Sequence, residues 1–338
     1  MIPNVLHYNE TEMVKVLLAD ANLTPHRERF TSALPSGVEV LWRAGRDPLT
    51  LLEELRDVEV YVGSRFTKVM ADSAEKLRLI HVVGAGVDKV ELDALPPGVR
   101  VANTFHHERS IAEYVLAATV MLRRDFLAQD RALRRGVWAT SVYDDSIAQL
   151  PTVGDARVGF VGFGHIGQRA WESFRMLGSR GAAVTGSGRV DAAAHGLAWA
   201  GDVSRLDQLL TESDVVVLSA PLTPATTGLI GRRELQAIGP DGVLVNVGRG
   251  PLVDERALYE ALRDGVLRAA ALDVWYRYPT PAGQSTPSEL PFHELANVLM
   301  TPHSSGVTSD TFRGRSDEVA ANIGRLARGE TLANVVHG

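Results

Sequence analysis

The sequence predicts an α/β fold made of two doubly wound parallel-sheet domains, and three observations lead to it. Short β-branched runs alternate with helix-length amphipathic segments, the pattern of a parallel sheet covered by helices. The runs form two sets, separated by a long helical stretch that begins near Ser110. The chain has 338 residues, enough for two domains of ordinary size, each with its own core.

The first set of strands is expected at Val14 to Leu18, Val38 to Trp42, Val58 to Val62, Ile80 to Val83 and Val99 to Ala102. Ser110 and Glu113 have capping-box spacing, and Ile111, Val115, Ala118 and Leu122 follow at helical intervals. The second set is expected at Val158 to Val161, Ala182 to Thr185, Val215 to Leu218, Val243 to Val247, Ala269 to Asp273 and Val298 to Met300. A last amphipathic helix is expected around Glu318 to Arg328, and the Pro/Ser-rich stretch from Pro279 to Pro291 reads as a surface loop.

Composition narrows the function. Hydrophobic residues make up 45% and charged residues 22%, the balance of a soluble globular chain. A net charge of −6 offers no basic excess for nucleic acid or an anionic membrane. There is no cysteine, which excludes disulfides and thiolate chemistry and fits a reducing cytoplasm. The first twenty residues lack the basic start and apolar core of a signal peptide, and the apolar runs are strand-length. A cytoplasmic protein is expected. The histidines do not fall in ligand spacings, so no metal is expected.

Val158-Gly-Phe-Val161 runs into Gly162-Phe-Gly164-His165-Ile166-Gly167, followed by a helix-length stretch to Leu177. This is the dinucleotide fingerprint in its strand-turn-helix setting. Gly162 allows the tight turn, Gly164 lets a pyrophosphate approach the backbone, and Gly167 allows close helix–strand packing. The helix start at His165 and Ile166 offers N–H groups and a favourable dipole; the His165 side chain suggests no chemistry of its own. About twenty residues along, an NAD site usually places a carboxylate on the ribose. Here the chain reads Val184-Thr-Gly-Ser-Gly188-Arg189, with glycine at that position. Arg189 could hold a 2′-phosphate or stack on the adenine, which favours NADP over NAD. The alternative makes Arg189 a solvated turn residue and lets Asp191 supply the acid.

Further stretches resemble the D-2-hydroxyacid dehydrogenase family, NAD(P)-dependent and D-isomer-specific, in order and spacing from about Val58 onward. Gly84-Ala85-Gly86-Val-Asp88 is similar to the loop whose N–H groups hold the substrate carboxylate. Asn103 with Ser110-Ile-Ala-Glu113-Tyr resembles the entry to the interdomain helix. The stretch from Leu209 through Ala220-Pro221 resembles the strand and loop beneath the adenosine, with Thr226 beyond it. Asn246-Val247-Gly248-Arg249-Gly is similar to the signature carrying the catalytic arginine, and Ala271-Leu-Asp273-Val and Thr301-Pro302-His303 complete the set. The resemblance implies a Rossmann cofactor domain, residues 104–303, inserted into a flavodoxin-like substrate domain, residues 1–103 with 304–338. It also implies an interdomain active site and a homodimer.

An oxidoreductase acting on a small 2-oxo or 2-hydroxy acid is what the resemblance implies. Arg249 would grip the carboxylate and reacting carbonyl with its planar fork of donors. His303 would be general acid in reduction and general base in oxidation. Arg65 lies where some relatives contact substrate, together with the backbone of Ala85 and Gly86. Gly162, Gly164, His165, Ile166, Gly167, Gly188, Arg189, Ala220, Pro221, Thr226, Val247, Gly248 and Asp273 would contact the cofactor. One departure stands out. The family glutamate that pairs with the histidine is replaced by Tyr278, in Asp273-Val-Trp-Tyr-Arg-Tyr278-Pro. A tyrosine can hydrogen-bond and orient an imidazole but carries no charge at neutral pH, so the usual His–Glu relay is in doubt. Two rivals remain open at this stage: a nucleotide-sensing binding protein on the same fold, and oxidation of a different small acid such as formate or an inorganic oxyanion.

Overall fold

The computed structural model describes residues 13–280 and 283–338; most of the N-terminal stretch read for a leader lies outside them. The chain divides into two compact units, one running to His106 and resuming at Ser309, the other spanning His107–Thr308.

The first unit holds β1 (Val14–Leu18), β2 (Val38–Trp42), β3 (Val60–Val62), β4 (Leu79–His81), β5 (Arg100–Ala102) and, from the C-terminus, β13 (Val335–His337). Their order is β13-β5-β4-β3-β1-β2, parallel except for β13. Alternate side chains of β1 serve the two faces: Val16 and Leu18 join the layer under helix Ser309–Ala327, while Leu17 and Ala19 join the layer containing Leu55 and Met70. Burial on both faces is why these strands read as continuous apolar runs.

The second unit holds β6 (Arg157–Val161), β7 (Arg180–Val184), β8 (Trp199–Gly201), β9 (Val215–Leu218), β10 (Val243–Asn246), β11 (Ala269–Leu272) and β12 (Val298–Met300). All are parallel, in the order β12-β11-β10-β9-β6-β7-β8. Val215 and Val217 pack with Ile111, Val115 and Leu122 of helix Glu108–Arg123, while Val216 and Leu218 pack with Leu258 and Leu262 on the opposite face. The sequence therefore predicts two doubly wound parallel α/β sheets, and that is the fold.

Details differ. Ser110 does not cap its helix: the helix begins at Glu108, and the Ser110 hydroxyl donates back to His107 O at 3.1 Å from inside the first turn. The last helix begins at Ser309, well before Glu318. The three-residue edge strands β8 and β13 escape the sequence pattern. The crossings fall after His106 and after Thr308, a few residues beyond the 103 and 303 expected. Thr104 N–H donates to Gly84 O and Arg315 donates to Phe105 O, holding 104–105 on the first unit. Ser304 and Ser305 donate to Asp273 and stay on the second. Among the described residues no helix is long and apolar enough to cross a membrane.

Candidate functional site

Strand order in the second sheet reverses between β6 and β9, and the loops leaving those strands meet there. Such switch points are where α/β sheets take ligands. Gly162 has φ +88, and a Cβ on it would lie 2.6 Å from Ala220 N, so only glycine lets the two loops approach. The Ser219 hydroxyl ties them together by donating to Gly162 O at 2.9 Å. A Cβ on Gly167 would fall 2.8 Å from Gly162 O, which is the close packing the fingerprint requires. Gly164 is different: a Cβ there meets nothing within 4 Å and would project into open space.

That space is a cavity of about 910 Å³, lined among others by Gly162, Gly164, Arg189, Ala220, Pro221 and Thr226. Helix His165–Met176 starts beside it with no side-chain cap on Gly164, so its first turn presents partial positive charge to the cavity. His165, Ile166 and Gly167 form that turn behind the wall. The residues present thus fit a dinucleotide: an uncapped helix start, a glycine cradle that a side chain would fill, and room for the ligand. Gly188, Val247, Gly248 and Asp273 do not line the cavity. Thr185, Ser187, Asp191 and His195 do, and sequence reasoning left all but Asp191 unnamed; counting onward from the end of the strand beside the fingerprint strand would have found the first two.

The loop after β7 bears on cofactor choice. Gly188 is left-handed, with φ +64, and a Cβ there would lie 3.0 Å from Asp202 Cβ. The Asp191 carboxylate is engaged as a helix cap, accepting from Ala194 N at 3.0 Å. Arg189 lines the cavity, is exposed, and its guanidinium has no hydrogen bond or ion pair among the described residues.

At the same strand edge, β10 leads into Arg249. Asn246 folds this turn from both sides: its Nδ2 donates to Arg249 O at 3.0 Å and its Oδ1 accepts from Gly248 N at 3.1 Å. Gly248 is forced by Ala220 O, 2.8 Å from where its Cβ would be, and Gly250 by Trp275 O at 2.4 Å. The Asn-x-Gly-Arg-Gly pattern is therefore a packing specification. Within it the half-buried Arg249 donates to Gly248 O at 2.9 Å.

His303 follows β12, two strands from β10, and has the left-handed φ of +57 that is unusual for a non-glycine residue. Its N–H closes a tight turn on Thr301 O at 3.0 Å. Asp273, only 1% exposed, holds this turn. Its carboxylate accepts from the Thr301 hydroxyl at 2.6 Å, Ser304 N at 2.8 Å, Ser305 N at 3.0 Å and the Ser305 hydroxyl. Four donors fill the lone-pair directions of a carboxylate. Trp275 Nε1 and the Tyr114 hydroxyl add bonds to Thr301, and burial pushes the Tyr114 phenol up to about 12. Sequence reasoning placed Asp273 at the cofactor; in the structure its oxygens accept four bonds from the chain. The Tyr278 ring lies against the His303 ring at 5.5 Å, tilted 54°, while its hydroxyl accepts from Trp275 N at 3.1 Å. Glu289, a carboxylate of the nearby loop, pairs with Arg277.

Arg65, Ala85 and Gly86 belong to the first unit, where they follow β3 and β4. Asn103 Nδ2 donates to Ala85 O at 2.8 Å, and Arg315 donates to Val83 O at 3.2 Å, so the start of the Gly84–Asp88 loop and the residue before it are anchored by their carbonyls. Among the described residues no group of three or more His, Asp or Glu is arranged to hold a metal.

Residues 116–305 match the NAD-binding domain of the D-isomer specific 2-hydroxyacid dehydrogenases. The chain is 31% identical to a D-3-phosphoglycerate dehydrogenase of Methanocaldococcus jannaschii over 96% of its own length and 60% of the relative's. Against the D-3-phosphoglycerate dehydrogenase of Escherichia coli the identity is 31%, covering 96% of this chain and 78% of the relative. The chain thus spans about 60% of the length of the first of these relatives. Among solved structures, an NADPH-dependent glyoxylate/hydroxypyruvate reductase from Sinorhizobium meliloti, in complex with NADP and sulfate, superposes with a TM-score of 0.78. Its identity is 25%, over 96% of this chain and 98% of that one.

Proposed function

The chain belongs to the D-isomer specific 2-hydroxyacid dehydrogenase family, and from that premise we propose that it transfers a hydride between NADP and a small 2-oxo or 2-hydroxy acid. The observation that carries the reading is the shared edge of one sheet. The glycine turn, the uncapped helix, Arg249 and His303 all leave the carboxyl ends of its strands. Gly162 and Ala220 with Pro221 and Thr226 hold the dinucleotide, and Arg189, whose guanidinium has no partner among the described residues, takes its 2′-phosphate. The bound nicotinamide supplies or accepts the hydride. Arg249 holds the substrate carboxylate and polarises the carbonyl. His303 gives a proton to the alkoxide oxygen in reduction and takes it back in oxidation. In this reading the unit containing Arg65, Ala85 and Gly86 binds the substrate, the unit 107–308 binds the cofactor, and the protein is a homodimer.

The test is a panel of 2-oxo acids, including glyoxylate, hydroxypyruvate and the oxidised form of D-3-phosphoglycerate, assayed with NADPH and with NADH by loss of nicotinamide absorbance. Turnover of at least one acid, faster with NADPH, is expected. Tight nucleotide binding without turnover of any acid would sink the enzymatic reading in favour of nucleotide sensing.

A further inference from the structure

The regular ladder between β4 and β5 ends where Val82 N–H donates to Ala102 O at 2.8 Å. Beyond it the carbonyls of Val83, Gly84 and Ala85 must find donors one by one, and all three do. Arg315, on helix Ser309–Ala327, donates through Nη1 to Val83 O at 3.2 Å. Thr104 N–H donates to Gly84 O at 3.1 Å, and Asn103 Nδ2 to Ala85 O at 2.8 Å. Arg315 also donates through Nε to Phe105 O at 2.9 Å. The three anchors are therefore the segment 103–105 and a guanidinium fixed to it.

A trans peptide unit is planar, so the carbonyl of one residue and the N–H of the next point in opposite directions; no peptide bond among the described residues is cis. Three successive carbonyls held toward segment 103–105 thus turn the N–H groups of Gly84, Ala85 and Gly86 away from it, onto one side of the loop. None of these N–H groups has an acceptor among the described residues, although all three residues are half-buried. A Cβ on Gly84 would meet nothing within 4 Å, so the chain leaves space beside the run. Successive free N–H groups of this kind make a concavity for an anion.

We propose that Arg315 and Asn103 are positioning residues for the substrate carboxylate: neither touches it, and each sets, through one peptide plane, the direction of a donor that does. Arg315 governs the Gly84 N–H and Asn103 the Gly86 N–H. Arginine suits its place because one planar fork reaches carbonyls on two separate segments. Asn103 is 5% exposed and its Oδ1 has no partner among the described residues. Burying that oxygen unpaired is unfavourable; an aliphatic side chain would avoid it, so the amide points to the bond with Ala85. That a carboxylate binds at this loop rests on the enzymatic reading above; the two positioning roles go beyond it.

The experiment is amide NMR on the full chain, isotope-labelled at glycine nitrogen and titrated with oxamate, a carboxylate shaped like a 2-oxo acid that takes no hydride. In wild type the Gly84 and Gly86 signals should shift together and saturably. Arg315→Met, which keeps the apolar stem and removes the donors, should suppress the Gly84 shift more than the Gly86 shift. Asn103→Ala should do the reverse, and each should weaken oxamate binding by roughly tenfold. A residue that only holds the fold together would lower the melting temperature and affect both glycines alike. No saturable shift at either glycine, binding that both variants leave intact, or equal losses at both glycines in both variants overturns the proposal. Kinetics give a second readout. Both variants should raise KM for the 2-oxo acid about tenfold with kcat changed far less, the sign of lost uniform binding, and leave KM for NADPH alone. The titration needs no turnover, so a chain that reduces no acid would sink the enzymatic reading while the glycine signals still decide the positioning roles.

Discussion

Two buried polar groups, one from each unit, are finished in opposite ways. In the second unit the Asp273 carboxylate, 1% exposed, has four donors supplied by the chain. In the first unit Tyr61, buried in β3, keeps a hydroxyl with no hydrogen-bond partner among the described residues. The contrast separates a carboxylate whose partners the chain supplies from a hydroxyl that the fold leaves without one.

The largest expected effect breaks the saturated side. Asp273→Ala removes the acceptor of Ser304 N–H and of the buried Ser305 N–H, so it should cost about 3 kcal/mol of stability and take turnover below roughly 1%. Denaturant midpoints and kcat read both; a variant of normal stability would mean the network does not hold the turn. Next is Arg249→Lys, which keeps the charge and loses the fork. A fall in kcat/KM of about a hundredfold is expected, and near-normal kinetics would remove Arg249 from the reaction.

A third prediction compares the units in acid. His81, buried in β4 against Asn322, has its imidazole pushed down to about 4 by burial. Its unfolded value is near 6.5, so the unfolded chain takes up the proton first. Stability is therefore full above about pH 6.5 and drains as pH falls from there toward 4, by on the order of 3 kcal/mol. Urea midpoints between pH 7.5 and 4.5 should fall more steeply in wild type than in His81→Leu, and parallel slopes would refute the assignment.

Smaller effects concern the cofactor loop and the imidazole. Arg189→Ala should erase most of an NADPH preference, about tenfold in Kd. A new carboxylate should favour NADH, but Gly188 is a poor place for it. Its positive φ and the 3.0 Å approach to Asp202 strain any side chain, so Ser187→Asp, on the cavity wall, is the cleaner test. A clear NADH preference in wild type would defeat the reading of this loop. The smallest expected effect is Tyr278→Glu. A carboxylate beside His303 favours the imidazolium, so the falling limb of the reduction rate should move to higher pH, whereas Tyr278→Phe should leave that limb in place. If Glu does not move it, Tyr278 is pocket wall.

The sheets were legible in the sequence because both faces of their strands are buried, which writes runs such as Val215-Val-Val-Leu218 in plain apolar letters. Edge strands β8 and β13 carry no such mark: Trp199–Gly201 is half-buried and ends in glycine, and Val335–His337 is exposed throughout. Residues with a local motif, such as Gly162, Arg249 and His303, could be picked out one at a time. What Asp273 does depends on donors some thirty positions along the chain, and no motif surrounds Tyr61. In sequence Tyr61 is one more aromatic in a strand. Only its missing hydrogen-bond partner singles it out.

The His303 turn has a consequence for heat. The backbone that carries the imidazole is left-handed, and the residue after it is clasped to a carboxylate in the core. Local loosening of that turn would leave the buried Asp273 carboxyl group without its donors, so opening it alone is costly. In the enzymatic reading, thermal inactivation should therefore track cooperative melting of the unit 107–308 degree for degree, with no interval of folded but idle protein below it.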